Sequence, residues 1–102
     1  MDFIRELRRA MDTGNVVFGS DRALKGLQDN EAKMIILASN CPEKIYEDIL
    51  ENINSSDALI YEYEGTNSEL GENLGKPFSV ATIMIKDPGD SNIINFAEGG
   101  NK

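Results

Sequence analysis

The sequence has no histidine and no tryptophan, a single cysteine, and ten basic residues against eighteen acidic ones. Each shortage excludes something. Without histidine the chain lacks the side chain that most often acts as a general base near neutral pH and most often ligates a metal. One cysteine, Cys41, rules out an internal disulfide and fits a reducing cytoplasm. No apolar run approaches the roughly 18 residues that a membrane-spanning helix needs. The segment Met1–Arg9 alternates charged with apolar residues, where a secretory signal carries an uninterrupted apolar stretch. The expectation is a chain with no membrane partner and no export signal. A net charge of −8 weighs against nonspecific affinity for phosphates. The distribution matters more than the sum: acids crowd Glu43–Glu51 and the run Glu62, Glu64, Glu69, Glu72, whereas Arg22, Lys25 and Lys76 lie beside glycine corners.

What is present suffices for one domain and a modest core: 102 residues, 40% of them hydrophobic. Phe3, Ile4, Leu7 and Met11 fall on one side of a helical wheel. Asp2 is placed to cap that helix and Gly14 to end it, with Arg5, Arg8 and Arg9 directed outward or sideways. Val16–Phe18 reads as a short strand stopped by Gly19. Ser20 and Asp21 are both good N-cap residues for the next helix, whose apolar face is Ala23, Leu24 and Leu27. Met34–Ala38 is an unbroken apolar run of strand length, which suits a strand covered on both faces. After Ser39-Asn40-Cys41-Pro42, the residues Ile45, Ile49, Leu50 and Ile53 make an inward stripe with Glu43, Glu47 and Glu51 outside, and Asn54–Asp57 ends that helix. A strand Ala58–Tyr63 follows. Thr66 and Glu69 have the spacing of a capping box, Leu70 and Leu74 give a short helix Thr66–Leu74 one inward face, and Gly75 ends it. Lys76-Pro77-Phe78 is a stiff turn before a strand Val80–Ile85. Asp87-Pro88-Gly89-Asp90 is a turn, Ile93, Ile94 and Phe96 form a last apolar patch, and Glu98–Lys102 is expected to fray.

Helices that alternate with strands predict an α/β fold: a single-domain three-layer α/β/α sandwich over residues 1–102, with a four-stranded mixed sheet and much parallel pairing. In such a sheet the loops that follow the strands gather along one edge. Gly19-Ser20-Asp21-Arg22 with Lys25, Ser39-Asn40-Cys41-Pro42, and Lys76-Pro77-Phe78 all qualify. Together they offer a helix N-terminus for phosphate oxygens, an asparagine for a base edge, and an aromatic beside cations for unpaired bases.

The segments Asp12-Thr13-Gly14 with Val17-Phe18-Gly19, then Ala32–Asn40, Tyr63–Gly71, Leu74–Phe78 and Asp87–Ser91 occur in a telling order and spacing. Over nearly the whole chain they resemble the archaeal and eukaryotic large-subunit ribosomal protein L-thirty-e family, in the wider L-seven-Ae kink-turn-binding superfamily. The resemblance implies an α/β/α sandwich that binds a sharply bent ribosomal RNA, a kink-turn or related internal loop, beside neighbouring ribosomal proteins. It implies a cytoplasmic chain, monomeric when free, with no enzymatic reaction, no cofactor and no metal. Gly19 matches the family glycine before the second helix, Lys25 its lysine, Asn40 the asparagine that reads a guanine edge, and Phe78 and Val80 the apolar covers of flipped-out or stacked bases. The implied contact set is Gly19, Ser20, Asp21, Arg22, Lys25, Asn40, Cys41, Pro42, Lys76, Pro77, Phe78 and Val80. Kink-turn relatives with the pattern Gly-x-Asn-Glu-x-Thr-Lys have Asn and Glu where this chain has Asp21 and Arg22. An acid there repels phosphate unless it caps the helix or accepts from a base amino group.

Plainer readings stand beside these. Gly19 serves as a turn, Lys25 as solvated surface, Asn40 as a cap for the helix behind Pro42, Phe78 as core, and Cys41 as a small filler. Asp87–Asp90 lacks the wider ligand spacing of a calcium loop. For the whole chain, the charge of −8 and Asp21 motivate a protein-interaction domain of the same fold with weak or lost RNA binding. The other alternative is a small nucleotide-handling enzyme. Against it, Gly65, Gly71 and Gly75 enclose a helix instead of preceding one, and the sequence has no Walker-type loop and no Ser-His pairing.

Overall fold

The computed structural model describes residues 2–53 and 56–100, the last three by backbone alone. Helices and strands alternate: α1 (Phe3–Thr13), β1 (Asn15–Phe18), α2 (Ser20–Gln28), β2 (Met34–Leu37), α3 (Glu43–Ile53), β3 (Leu59–Glu62), α4 (Asn67–Asn73), β4 (Thr82–Asp87) and α5 (Ile94–Gly100). The expected stop of α3 at Asn54–Asp57 rests partly on residues 54 and 55, which lie outside the described residues, as do 101 and 102 of the expected frayed end.

The sheet is covered on both faces, and β2 shows why its sequence is apolar throughout. Side chains alternate along a strand. Met34 and Ile36 enter a cluster with Leu7, Leu70, Ile83, Ile85 and Ile93 under α1, α4 and α5. Ile35 and Leu37 enter a second cluster with Ala23, Leu27, Ile49 and Met84 under α2 and α3. This is the three-layer α/β/α arrangement, with the apolar stripes of helices on each side of one sheet.

The strand order is β1-β4-β2-β3. Only β2 and β3 pair in parallel; β4 lies between β1 and β2 and runs antiparallel to both. This corrects the expectation of much parallel pairing, and the reason lies in α4. A seven-residue helix extends only about 10 Å, and the chain then doubles back, with the Val80 N–H donating to the Asn67 carbonyl at 3.0 Å. The excursion from β3 therefore closes where it began. β4 enters the sheet from the edge at which β1, β2 and β3 end, and must run the other way. The same closure uses Val80 and Ala81, so β4 begins at Thr82, two residues later than the apolar run suggests.

Local signals hold α1 and α4 in place. The Asp2 carboxylate accepts from the N–H groups of Ile4 at 3.1 Å and Arg5 at 3.4 Å, which caps α1. The capping box of α4 is complete: Glu69 N–H donates to Thr66 Oγ1 at 3.2 Å, and Thr66 N–H donates to Glu69 Oε1 at 2.9 Å. At its other end Lys76 N–H reaches the Gly71 carbonyl at 2.9 Å and Gly75 N–H the Glu72 carbonyl at 3.0 Å, the paired closure of a helix on a left-handed glycine.

Candidate nucleic-acid interface

The register sets Phe18, Leu37 and Glu62 at the carboxyl ends of their strands and Thr82 at the start of β4, all on one edge of the sheet. Four loops meet there. Backbone hydrogen bonds join them: Gly19 N–H to the Thr82 carbonyl at 3.0 Å, Ala38 N–H to Ala81 at 2.9 Å, and Ser39 N–H to Gly65 at 2.9 Å. This edge is a connected surface and its parts are held in fixed relation.

Phe78 is the exposed large hydrophobic side chain among the described residues, at 53%. It stands in the return loop 75–81, which passes close over α4. A Cβ added at Gly71 would run into the Phe78 carbonyl oxygen, so a glycine at that position lets the loop sit down on the helix. Phe78 lines a groove of about 270 Å³ together with Phe18, Gly19, Ser20, Ile45 and the segment 79–82. That is below the range of about 300–1,000 Å³ usual for drug-sized ligands and suits one planar ring.

The N-terminus of α2 opens onto this groove. The N-cap is Gly19, at φ +115°, and no side chain caps the helix. The expectation that Ser20 or Asp21 would cap is corrected here. Gly19 leaves the sheet by donating to Thr82, and its left-handed turn makes it the last non-helical residue, so Ser20 and Asp21 already lie in the first turn. Asp21 is exposed there, near the positive end of the helix dipole.

Asn40 does not cap α3. Its carboxamide reaches 27 residues along the chain to the start of α4, where Oδ1 accepts from the Asn67 N–H at 2.8 Å and Nδ2 donates to Asn67 Oδ1 at 3.1 Å. A backbone N–H can only donate, which fixes the orientation of the amide. The second hydrogen on Asn40 Nδ2 then remains for a ligand. Asn67 also carries the carbonyl that holds Val80, so one residue ties the asparagine to the return loop.

The remaining expected contacts divide. Gly19, Ser20, Phe78 and Val80 line the same groove, although Val80 itself is buried at 3%. Pro77 is exposed beside Phe78, and Pro42 is exposed ahead of α3, its carbonyl accepting from Tyr46 N–H at 3.0 Å. Lys76 lies over the ring of Phe18, 5.2 Å from its centroid, and not against its neighbour Phe78. Arg22 and Lys25 sit on the adjacent flank, in a separate concavity with Asp29, Glu31 and Lys86; Lys25 is 79% exposed and pairs with Asp29 at 3.4 Å. Cys41 turns inward, its Sγ 4.0 Å from Thr82 Oγ1, and burial pushes its thiol above the ordinary value against the lowering effect of that contact. Phe18, Ile45 and Asn67 belong to the surface and were not expected on it. Phe18 and Ile45 read as ordinary inward residues of a strand and a helix, and Asn67 as one polar residue beside a cap. Among the described residues no group of three or more His, Cys, Asp or Glu side chains is placed to hold a metal ion.

The chain is similar to known proteins over most of its length. The family model described as the ribosomal protein L7Ae/L30e/S12e/Gadd45 family matches residues 1–95. The large ribosomal subunit protein eL30 of Methanothermobacter thermautotrophicus is 46% identical over 94 residues, covering 92% of this chain and 96% of its own. The eL30 protein of Methanobrevibacter smithii is 44% identical over 95 residues, 93% of this chain and 96% of its own. That of Methanocaldococcus jannaschii is 39% identical over 98 residues, 96% of this chain and 89% of its own.

Proposed function

The chain belongs to the ribosomal protein L7Ae/L30e/S12e/Gadd45 family, and from that premise we propose that it is a structural constituent of the large ribosomal subunit that binds a sharply bent ribosomal RNA, a kink-turn or related internal loop. It works in the cytoplasm, within the ribosome, beside neighbouring ribosomal proteins. Its similar relatives are named as large-subunit ribosomal proteins, and no reaction is assigned to it.

The observation that carries the reading is the pairing of an exposed aromatic, Phe78, with an uncapped helix N-terminus across one narrow groove. A planar base stacks on the first, and a backbone phosphate meets the free N–H groups of the second. A bent RNA presents an unstacked base and a neighbouring phosphate together, and a straight duplex does not. Asn40 adds a donor from a locked carboxamide, which suits the acceptor edge of guanine. Because Asn67 holds that amide before any ligand arrives, little side-chain freedom is lost on binding.

The mechanism is shape capture. The RNA exchanges between straight and bent forms, and the protein shifts the balance only by the difference in its affinity for the two. The test is a titration of a kink-turn RNA and a straight duplex of equal length at several salt concentrations. Tighter binding to the kink-turn supports the proposal. Equal weak binding to both overturns it and favours the protein-interaction reading that the net charge of −8 supports.

A further inference from the structure

A chain with eighteen acids for ten bases has partners enough for every cation. Arg5, Arg8 and Arg9 on α1 take none. All three are exposed, and none forms an ion pair among the described residues. The acids that helical spacing offers them are engaged elsewhere or stand apart. Asp2 caps the helix through Ile4 and Arg5 N–H. Glu6 turns inward, buried, and accepts from Asn92 N–H at 2.8 Å. Asp12, three residues after Arg9 and four after Arg8, pairs with neither. With Asp2, Ile4, Asp12 and Thr13 the arginines line a shallow concavity of about 570 Å³ along the outer face of α1.

Arg5, Arg8 and Arg9 follow one another at helical spacing, so they share one face and span about 6 Å of helix axis. A nucleic-acid strand advances about 3.4 Å of axis per phosphate in a duplex, so the row matches two or three phosphates. Guanidinium groups take phosphate oxygens in pairs. The row lies on the outside of the layer formed by α1, α4 and α5, whereas Phe78 and Gly19 lie at the sheet edge.

We propose that the arginine row of α1 is a second RNA-contact surface, which holds the phosphodiester backbone of a ribosomal RNA segment other than the bent motif. The inference rests on the reading of the chain as a ribosomal RNA binder. The chemistry selects RNA over an acidic protein. Protein interfaces need a buried aromatic or aliphatic anchor at their centre. The exposed large hydrophobic among the described residues is Phe78, on the other surface, and the apolar side chain in the α1 concavity is Ile4, itself half-buried. Phosphate contacts require no such anchor.

The test compares the wild-type chain, the triple variant Arg5→Gln/Arg8→Gln/Arg9→Gln, and the triple variant Arg5→Lys/Arg8→Lys/Arg9→Lys, each checked for its fold by circular dichroism. Two RNAs are titrated: a minimal kink-turn and deproteinised large-subunit ribosomal RNA. On the minimal RNA all three proteins should bind alike. On the ribosomal RNA the glutamine variant should lose about 2–3 from the slope of log affinity against log salt, and the lysine variant should retain most of it. Between roughly 50 and 200 mM salt, that slope difference makes the wild type about 16- to 64-fold more salt-sensitive than the glutamine variant. An unchanged slope on ribosomal RNA overturns the inference. So does an equal loss on both RNAs, which would assign the arginines to the bent motif. A loss that appears only when other ribosomal proteins are added would assign the row to an acidic protein and also overturns it. Failure of the wild type to prefer the kink-turn strikes at the proposed function instead, and shows in the minimal RNA alone.

Discussion

The two edges of the sheet are built from similar material and end differently. At the edge where β4 ends, the turn after Asp87 is closed on itself and on α1. Gly89 N–H donates to Asp87 Oδ1 at 2.9 Å, Asp90 N–H to Thr13 Oγ1 at 2.9 Å, and Asn92 N–H to Glu6 Oε1 at 2.8 Å. A Cβ at Gly14 would meet the backbone of Asp87 and Gly89, so the two segments are in contact. At the opposite edge the loops are also joined by hydrogen bonds, but an aromatic ring stands in solvent, the exposed Asn40 amide uses one of its two hydrogens on Asn67, and no side chain caps α2. Both edges are ordered by hydrogen bonds. What separates them is that the N–H groups of Gly89, Asp90 and Asn92 have partners within the chain, whereas the Phe78 ring stands exposed and the first turn of α2 has no side-chain cap. Leaving an apolar ring in water works against folding, and a ligand that covers it returns the lost stabilisation.

This comparison can be broken most forcefully through its glycines. Gly71→Ala and Gly14→Ala each push a methyl group into backbone, and each should destabilise the fold by about 1–3 kcal/mol. Only Gly71→Ala should also weaken binding to a kink-turn RNA at a temperature where both variants remain folded, because it lifts the loop that carries Phe78. Thermal denaturation and RNA titration on the same samples separate the two effects. Next in size, Phe78→Ala and Asn40→Ala should each weaken the RNA complex by about 1–3 kcal/mol, through a lost stacking surface and a lost base-edge donor. The stability of Phe78→Ala should change by less than about 0.5 kcal/mol, since its ring is already exposed. A large fall in melting temperature would make Phe78 a core residue after all. The smallest effect belongs to Lys25→Ala, which should lower the salt slope by about 0.7–1 and leave the affinity near its original value at high salt. An unaltered slope would leave Lys25 to its ion pair with Asp29.

Much of this was legible from local spacing. Thr66 and Glu69 fixed the start of α4, Gly75 its end, and Lys76-Pro77-Phe78 marked a projecting turn, because each signal acts within a few residues. The position of β4 was not legible. It depends on Val80 returning to Asn67, a contact that no periodicity announces. The partner of Asn40 was hidden for the same reason, being 27 residues away. The sequence favours Ser20 or Asp21 as the cap of α2, since both are better capping side chains than glycine, while the conformation at that corner, φ +115°, demands glycine. Lys76 was expected beside Phe78, its neighbour in sequence, and lies on Phe18, its neighbour in space.

The most direct measurement is amide hydrogen exchange of the chain with and without a kink-turn RNA. Exchange should slow at Ser20–Arg22, around Asn40 and across residues 76–80, with no change at residues 87–92. Protection at 87–92, or none along the Phe78 edge while the RNA is bound, would contradict the proposed interface.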